Sequence, residues 1–132
     1  MRVVVATFGT AGDVLPFVHL GRALRRRGHS VELVTDVAHR EAVERAELTP
    51  RTPITRYDPV ALTKDPAYSS PAMGPYRLWT DLFLPLVSDM FGAVGEALKS
   101  PASVVLVHPW CFGALYAAQA AKVPAASVSM AP

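Results

Sequence analysis

Residues Val3 to Ala6 form an uninterrupted apolar run whose first three members are β-branched. A strand with one face in water alternates apolar and polar residues. This one does not, so it reads as a strand buried on both faces, which needs helices above and below it. The run breaks at Phe8-Gly9-Thr10-Ala11-Gly12-Asp13. A helix is expected from about Val14, with Pro16 in its first turn, where a missing N–H does little harm. Phe17, Leu20 and Leu24 keep helical spacing, and Gly28 is placed to close the helix in a left-handed conformation. Arg25, Arg26 and Arg27 fall in the last turn, where cations complement the helix dipole. They read better as a solvated helix end than as a phosphate or nucleic-acid patch.

The alternation continues along the chain. Val31 to Thr35 is a second strand, and Asp36 is placed to cap a helix over Val37 to Ala46. Leu48 to Ile54 is a third, poor strand that Pro50 and Pro53 confine to an edge. Residues 55–75 read as a loop with turn signals at Asp58-Pro59, Asp65-Pro66, Ser69-Ser70-Pro71 and Gly74-Pro75. A loop of roughly 20 residues inside a compact domain usually serves binding. Tyr76 to Lys99 carries a helical pattern with two apolar stripes side by side. One is Trp79, Leu82, Leu86, Met90, Ala93 and Ala97; the other is Phe83, Val87, Phe91, Val94 and Leu98. Pro85 falls on the remaining face and is expected to kink the helix, convex side toward solvent. Ser103 to Val107 is a further buried strand, Phe112 to Lys122 a small-residue helix stopped by Pro124, and Ala125 to Ser129 a fifth strand. The expected fold is α/β, a Rossmann-like three-layer sandwich on a parallel sheet. With strand order 3-2-1-4-5, the switch point lies between the first and fourth strands, and ligands bind outside the carboxyl ends there. Phe8 to Asp13 and His108 to Cys111 would flank that crevice.

Composition narrows the function classes. The 132 residues carry 13 Lys+Arg against 11 Asp+Glu, a formal charge of +2. That excludes a strongly basic nucleic-acid binder and an acidic disordered tail. With 51% hydrophobic and 18% charged residues, a packed core is expected. The length suits one domain and is short for an enzyme that must hold two substrates. A single cysteine, Cys111, excludes an internal disulfide framework, and it reads as a small buried apolar residue. The four histidines offer no ligand pair at i, i+4, so no metal site is expected. No apolar stretch of about 18 residues free of charge or proline suggests a membrane span.

Three readings of the Gly9–Asp13 turn stand together. It is a tight turn with Asp13 as a helix cap; or a phosphate loop, which the missing G-x-G-x-x-G and G-K-[ST] patterns and the anionic Asp13 oppose; or Asp13 is a general base that accepts a proton from a hydroxyl nucleophile. His19 and His39 read as helix-surface residues and His29 as a hydrogen-bonded turn histidine. His108 ends a buried strand just before Pro109 and Trp110, which places it at the crevice with structural and functional readings both open. Tyr57, Tyr68, Tyr76 and Trp79 either line an apolar ligand pocket or pin the proline-rich segment to the core.

The segment Gly9-Thr10-Ala11-Gly12-Asp13-Val14-Leu15-Pro16, followed by Leu20-Gly21-Arg22-Ala23-Leu24-Arg25-Arg26-Arg27-Gly28-His29-Ser30-Val31, resembles the N-terminal signature of GT-B glycosyltransferases. It is most similar to those acting on antibiotic aglycones, sterols and lipids, including rhamnosyltransferases of rhamnolipid synthesis. The order of elements matches over the whole chain, with residues 55–100 matching only as a variable acceptor region. The resemblance implies that Asp13 is the catalytic base of an inverting transfer. The acceptor would be a hydroxylated apolar small molecule and the co-substrate a nucleotide-sugar, with no metal or other cofactor. Gly9, Thr10 and Gly12 would shape the turn beside the sugar, and His108, Trp110, Tyr76 and Trp79 would border the acceptor. Plant-type relatives carry an Asp after the fourth strand where His108 stands here.

The resemblance further implies a second, donor-binding domain, so residues 1–132 are expected to be an incomplete N-terminal acceptor domain without activity alone. The donor site would come from the rest of a larger protein or from a donor-domain subunit. A cytoplasmic enzyme, peripheral to the membrane at most, is implied. Two other functions fit the same residues: a non-catalytic partner or activator subunit with a truncated transferase fold, and a free-standing nucleotide-binding Rossmann-like module.

Overall fold

A computed structural model describes residues 1–54, 62 and 64–130. The elements follow in the order β1 (Arg2–Ala6), α1 (Ala11–Arg26), β2 (Ser30–Asp36), a 3₁₀ turn (Val37–His39), α2 (Arg40–Arg45), β3 (Thr49–Ile54), α3 (Pro66–Ser69), α4 (Gly74–Leu78), a π-helical segment (Trp79–Phe83), α5 (Leu84–Ala97), β4 (Val104–Val107), α6 (Phe112–Ala120) and β5 (Ala125–Ser127). The strands form one parallel sheet in the order β3-β2-β1-β4-β5. This is the expected α/β three-layer arrangement. Pro50 and Pro53 stand on an outer strand, where a missing N–H breaks no ladder between two neighbours. Tyr57 and the Asp58-Pro59 turn lie outside the described residues.

Period-2 alternation in the strands sorts the core into two layers. Val4, Ala6, Val105 and Val107 face a cluster with Leu86, Met90, Val94, Ala114 and Ala118 of α5 and α6. Val3, Val5, Val31 and Leu33 face the opposite cluster with Val14, Phe17 and Val18 of α1 and Val43 of α2. The buried carboxylate of Glu32 is held by Arg2 and Arg51. No helix among the described residues is long and apolar enough to cross a membrane.

Three local expectations change. First, α1 begins at Ala11, not Val14, so Pro16 sits inside the helix, where Gly12 loses its i+4 donor. Secondly, the Tyr76–Lys99 helix is not a single α-helix kinked at Pro85. The Leu84 N–H donates to Trp79 O, five residues back, within the π-helical segment. Pro85 has no N–H to continue an i−4 ladder, and the wider turn accommodates the lost bond. Phe91, assigned to an apolar stripe, is exposed. Thirdly, His39 is not on an open face. Its Nδ1 lies 2.9 Å from Asp36 Oδ1, which also accepts the Ala38 N–H.

α5 and α6 cross at Gly113, where an added Cβ would stand 2.0 Å from Val87 O. Gly113→Ala is expected to lower unfolding free energy by about 2 kcal/mol, because two backbones must separate. Urea denaturation checks this, and an unchanged midpoint would contradict the close approach.

Candidate acceptor site

β1 and β4 lie side by side, Ala6 paired with Val107. Their carboxyl ends release Thr7–Thr10 and His108–Cys111 into one crevice. Thr7 is buried and ties this loop down: its N–H donates to Val34 O at 3.0 Å, and its Oγ1 to the main-chain oxygen of Asp13 at 3.1 Å. Gly9 has φ +134°, and a Cβ there would meet Asp13 Oδ2 at 2.4 Å, so both conformation and space require glycine.

Thr10 is the N-cap of α1 and Asp13 its third residue. The Thr10 N–H and Oγ1 both donate to Asp13 Oδ2, at 2.8 and 2.9 Å. An acid reaching back from this position satisfies a free helix amide and places negative charge at the positive end of the dipole. The cap therefore occupies one carboxylate oxygen. The other, Oδ1, lies 3.9 Å from Nε2 of His108, and the Asp13 side chain is 41% exposed. Gly12 sits beside the cap, its Cβ position 3.6 Å from Thr10 Oγ1.

Phe8, Gly9, Asp13, Leu82, Phe83 and Trp110 line a cavity of about 150 Å³. Phe83 and Trp110 meet with ring centroids 5.2 Å apart, and Trp79 stands behind Phe83 at 6.0 Å. Trp110 is 51% exposed, so the aromatic wall reaches solvent. Phe8 and Leu82 also line a second cavity of about 100 Å³, with Ile54, Asp81, Pro85, Leu86 and Asp89. Tyr76 is 62% exposed and lines neither cavity.

His108 is buried, and its ring packs edge-on to Phe17 at 5.5 Å. Burial pushes its pKa below the ordinary value, against the pull of Asp13. Burial pushes the Cys111 thiol up to about 12, which leaves it protonated and unreactive. Of the residues singled out in the sequence, Asp13, Gly9, Thr10, Gly12, His108 and Trp110 come together here. Trp79 is one ring removed, and Tyr76 is not part of the cluster. Phe8 was placed only as the first residue of the flanking turn, and Leu82 and Phe83 were not anticipated as site residues. Their only sequence signal was apolar character next to a turn or on a helix stripe.

A parallel sheet with its switch point at β1 and β4, a capped acid at the mouth of α1 and an aromatic wall opposite define the N-terminal half of a GT-B transferase fold. The sequence profile of the glycosyltransferase family 28 N-terminal domain matches residues 3–73, more than half of the chain, and the chain belongs to this family. It is 52% identical over 48 residues to O-mycaminosyltylonolide 6-deoxyallosyltransferase of Streptomyces fradiae, a match covering 36% of this chain and 11% of that enzyme. The fold superposes on the calicheamicin glycosyltransferase CalG4 with a TM-score of 0.73 and 22% identity, covering 96% of this chain and 31% of that one. It superposes on the spinosyn rhamnosyltransferase SpnG, complexed with thymidine diphosphate, with a TM-score of 0.65 and 20% identity, covering 96% and 34%. The chain thus spans about a third of those solved transferases.

Proposed function

We propose that this chain is the acceptor-binding part of an inverting glycosyltransferase, and that Asp13 is its general base. The observation that carries this reading is the division of labour within one carboxylate. Thr10 fixes Oδ2, Oδ1 stays outside the cap, and Asp13 lines a cavity walled by Phe8, Leu82, Phe83 and Trp110. An apolar acceptor lies against that wall with a hydroxyl on Oδ1. As the hydroxyl oxygen attacks the anomeric carbon, its proton passes to Asp13. The bond from that carbon to the phosphate oxygen breaks, and the nucleoside diphosphate leaves with the electron pair. Attack opposite the leaving group inverts the centre.

The donor nucleotide binds outside the residues of this chain, in a second domain. A nucleotide-binding role for α1 itself is disfavoured by the cap: the Thr10 N–H that would meet a phosphate already serves Asp13. The aromatic wall supports an apolar acceptor, as does the likeness to an O-mycaminosyltylonolide 6-deoxyallosyltransferase and a calicheamicin glycosyltransferase.

The test is the stereochemistry of transfer by the enzyme that carries this chain. With an α-linked nucleotide-sugar, the anomeric coupling constant of the product should report a β-linkage. A retained α-linkage would overturn the base assignment.

A further inference from the structure

Of the buried polar side chains, Thr7, Glu32, Thr35 and Asp36 are bound within the loops, caps and ion pairs that hold the fold. His108 is bound too, but one of its ring nitrogens lies near Asp13. Its own N–H donates to Ala6 O at 2.8 Å, and its carbonyl accepts from Cys111 N at 2.8 Å, so its backbone is fixed on both sides. The Trp110 N–H donates to the ring's Nδ1 at 3.3 Å. A ring nitrogen that accepts carries no proton, so the proton of the neutral imidazole is on Nε2. That nitrogen lies 3.9 Å from Asp13 Oδ1. The edge-on contact with Phe17 limits rotation of the ring.

We propose that His108 is a positioning residue for Asp13: its Nε2–H faces the uncapped carboxylate oxygen, steers it into the cavity and closes on it when the acceptor hydroxyl is bound. This rests on the assignment of Asp13 as base. The gap of 3.9 Å is longer than a hydrogen bond, and contacts of this kind commonly tighten only in the substrate complex. His108 holds the carboxylate and does not relay its proton. Nε2 already carries a hydrogen, and Nδ1 is covered by the Trp110 amide. The arrangement also explains how a histidine serves where plant-type relatives have a carboxylate. With the base itself an acid, the partner it needs is a donor.

Two measurements test this, one of them independent of transfer. Long-range proton–nitrogen NMR on the protein should show His108 in the Nε2–H form at neutral pH, and Asp13→Asn should move its titration midpoint lower. Burial would then act without the carboxylate's pull. A Nδ1–H tautomer, or a midpoint indifferent to Asp13→Asn, overturns the proposal whatever the enzyme does. In the transferase, His108→Phe should lower kcat about tenfold with KM little changed, as expected for a misplaced reacting group. His108→Gln, whose amide brings an N–H to nearly the same point, should recover most of that loss. Equal losses in the two variants, or a change confined to KM, overturn the proposal. If Asp13→Asn leaves transfer at full rate while the NMR results hold, the base assignment fails and the pairing of the two side chains stands.

Discussion

With Asp13 as the proposed base, Asp13→Asn in a transferase carrying this chain is expected to lower kcat/KM by roughly 100-fold or more, the scale of a lost general base. Asparagine is the informative replacement because its amide oxygen still accepts from the Thr10 N–H and Oγ1, which hold Asp13 Oδ2 in the native turn. What it loses is the basicity of the carboxylate and the negative charge at the start of α1. The charge contributes less than about 1 kcal/mol at such a site. Thermal or urea unfolding should therefore change little while turnover collapses. Steady-state kinetics and a denaturation curve on the same preparation separate the two. A full-rate Asp13→Asn enzyme would reduce the residue to a helix cap.

Phe17→Ala is expected to cost about 3–5 kcal/mol of stability, the range for a large aromatic removed from a close-packed core. Phe17 is completely buried in the layer under α1, among Val3, Val5, Val14 and Leu33. Domains of this size have only about 5–15 kcal/mol in total, so the variant should unfold at much lower urea with an unchanged slope. Phe17 also touches the His108 ring, so the loss extends to the site: the His108 resonances should broaden as the imidazole gains freedom. Phe17→Leu keeps most of the volume and should cost about 1.5 kcal/mol or less. A small effect of Phe17→Ala on the urea midpoint would contradict the packing described above.

Much of the fold was legible because it rests on continuous apolar strands and on turn chemistry. The run Val3 to Ala6 required cover on both faces, and Pro50 and Pro53 required an edge. Together with the βα alternation, these are compatible with the order 3-2-1-4-5, taken as a condition in reading the sequence and found in the structure. The start of α1 was misplaced because Asp13 was read as an N-cap. The pattern Thr10-Ala11-Gly12-Asp13 is that of an acid reaching back to a threonine cap, and it places the helix start at Ala11. Pro85 was visible, but whether a chain answers a missing N–H with a kink or with a π turn depends on the packing of its neighbours.

The site was legible only where a single turn builds it. Gly9, Thr10 and Asp13 are adjacent in sequence, and their clustering follows from the turn. His108 was placed by the topological switch point alone. Phe8 belongs to the same turn, but Leu82 and Phe83 come from a distant helical segment, and nothing in local spacing reveals that they share a cavity with Trp110. The tautomer of His108 depends on one main-chain amide, Trp110 N–H, whose direction no side-chain pattern records.

The π-helical segment between Trp79 and Phe83 winds about one residue more into its turn than the α-helices on either side. Each residue of a regular helix advances about 100° around the axis. Deleting one residue there would restore α-helical winding, and the wider turn that absorbed the extra residue would close without swinging Tyr76, Arg77 and Leu78 around the axis. Leu86, Met90 and Val94 would keep their seats in the core. The length of the chain at this point is therefore free to change by one codon without disturbing the scaffold beneath.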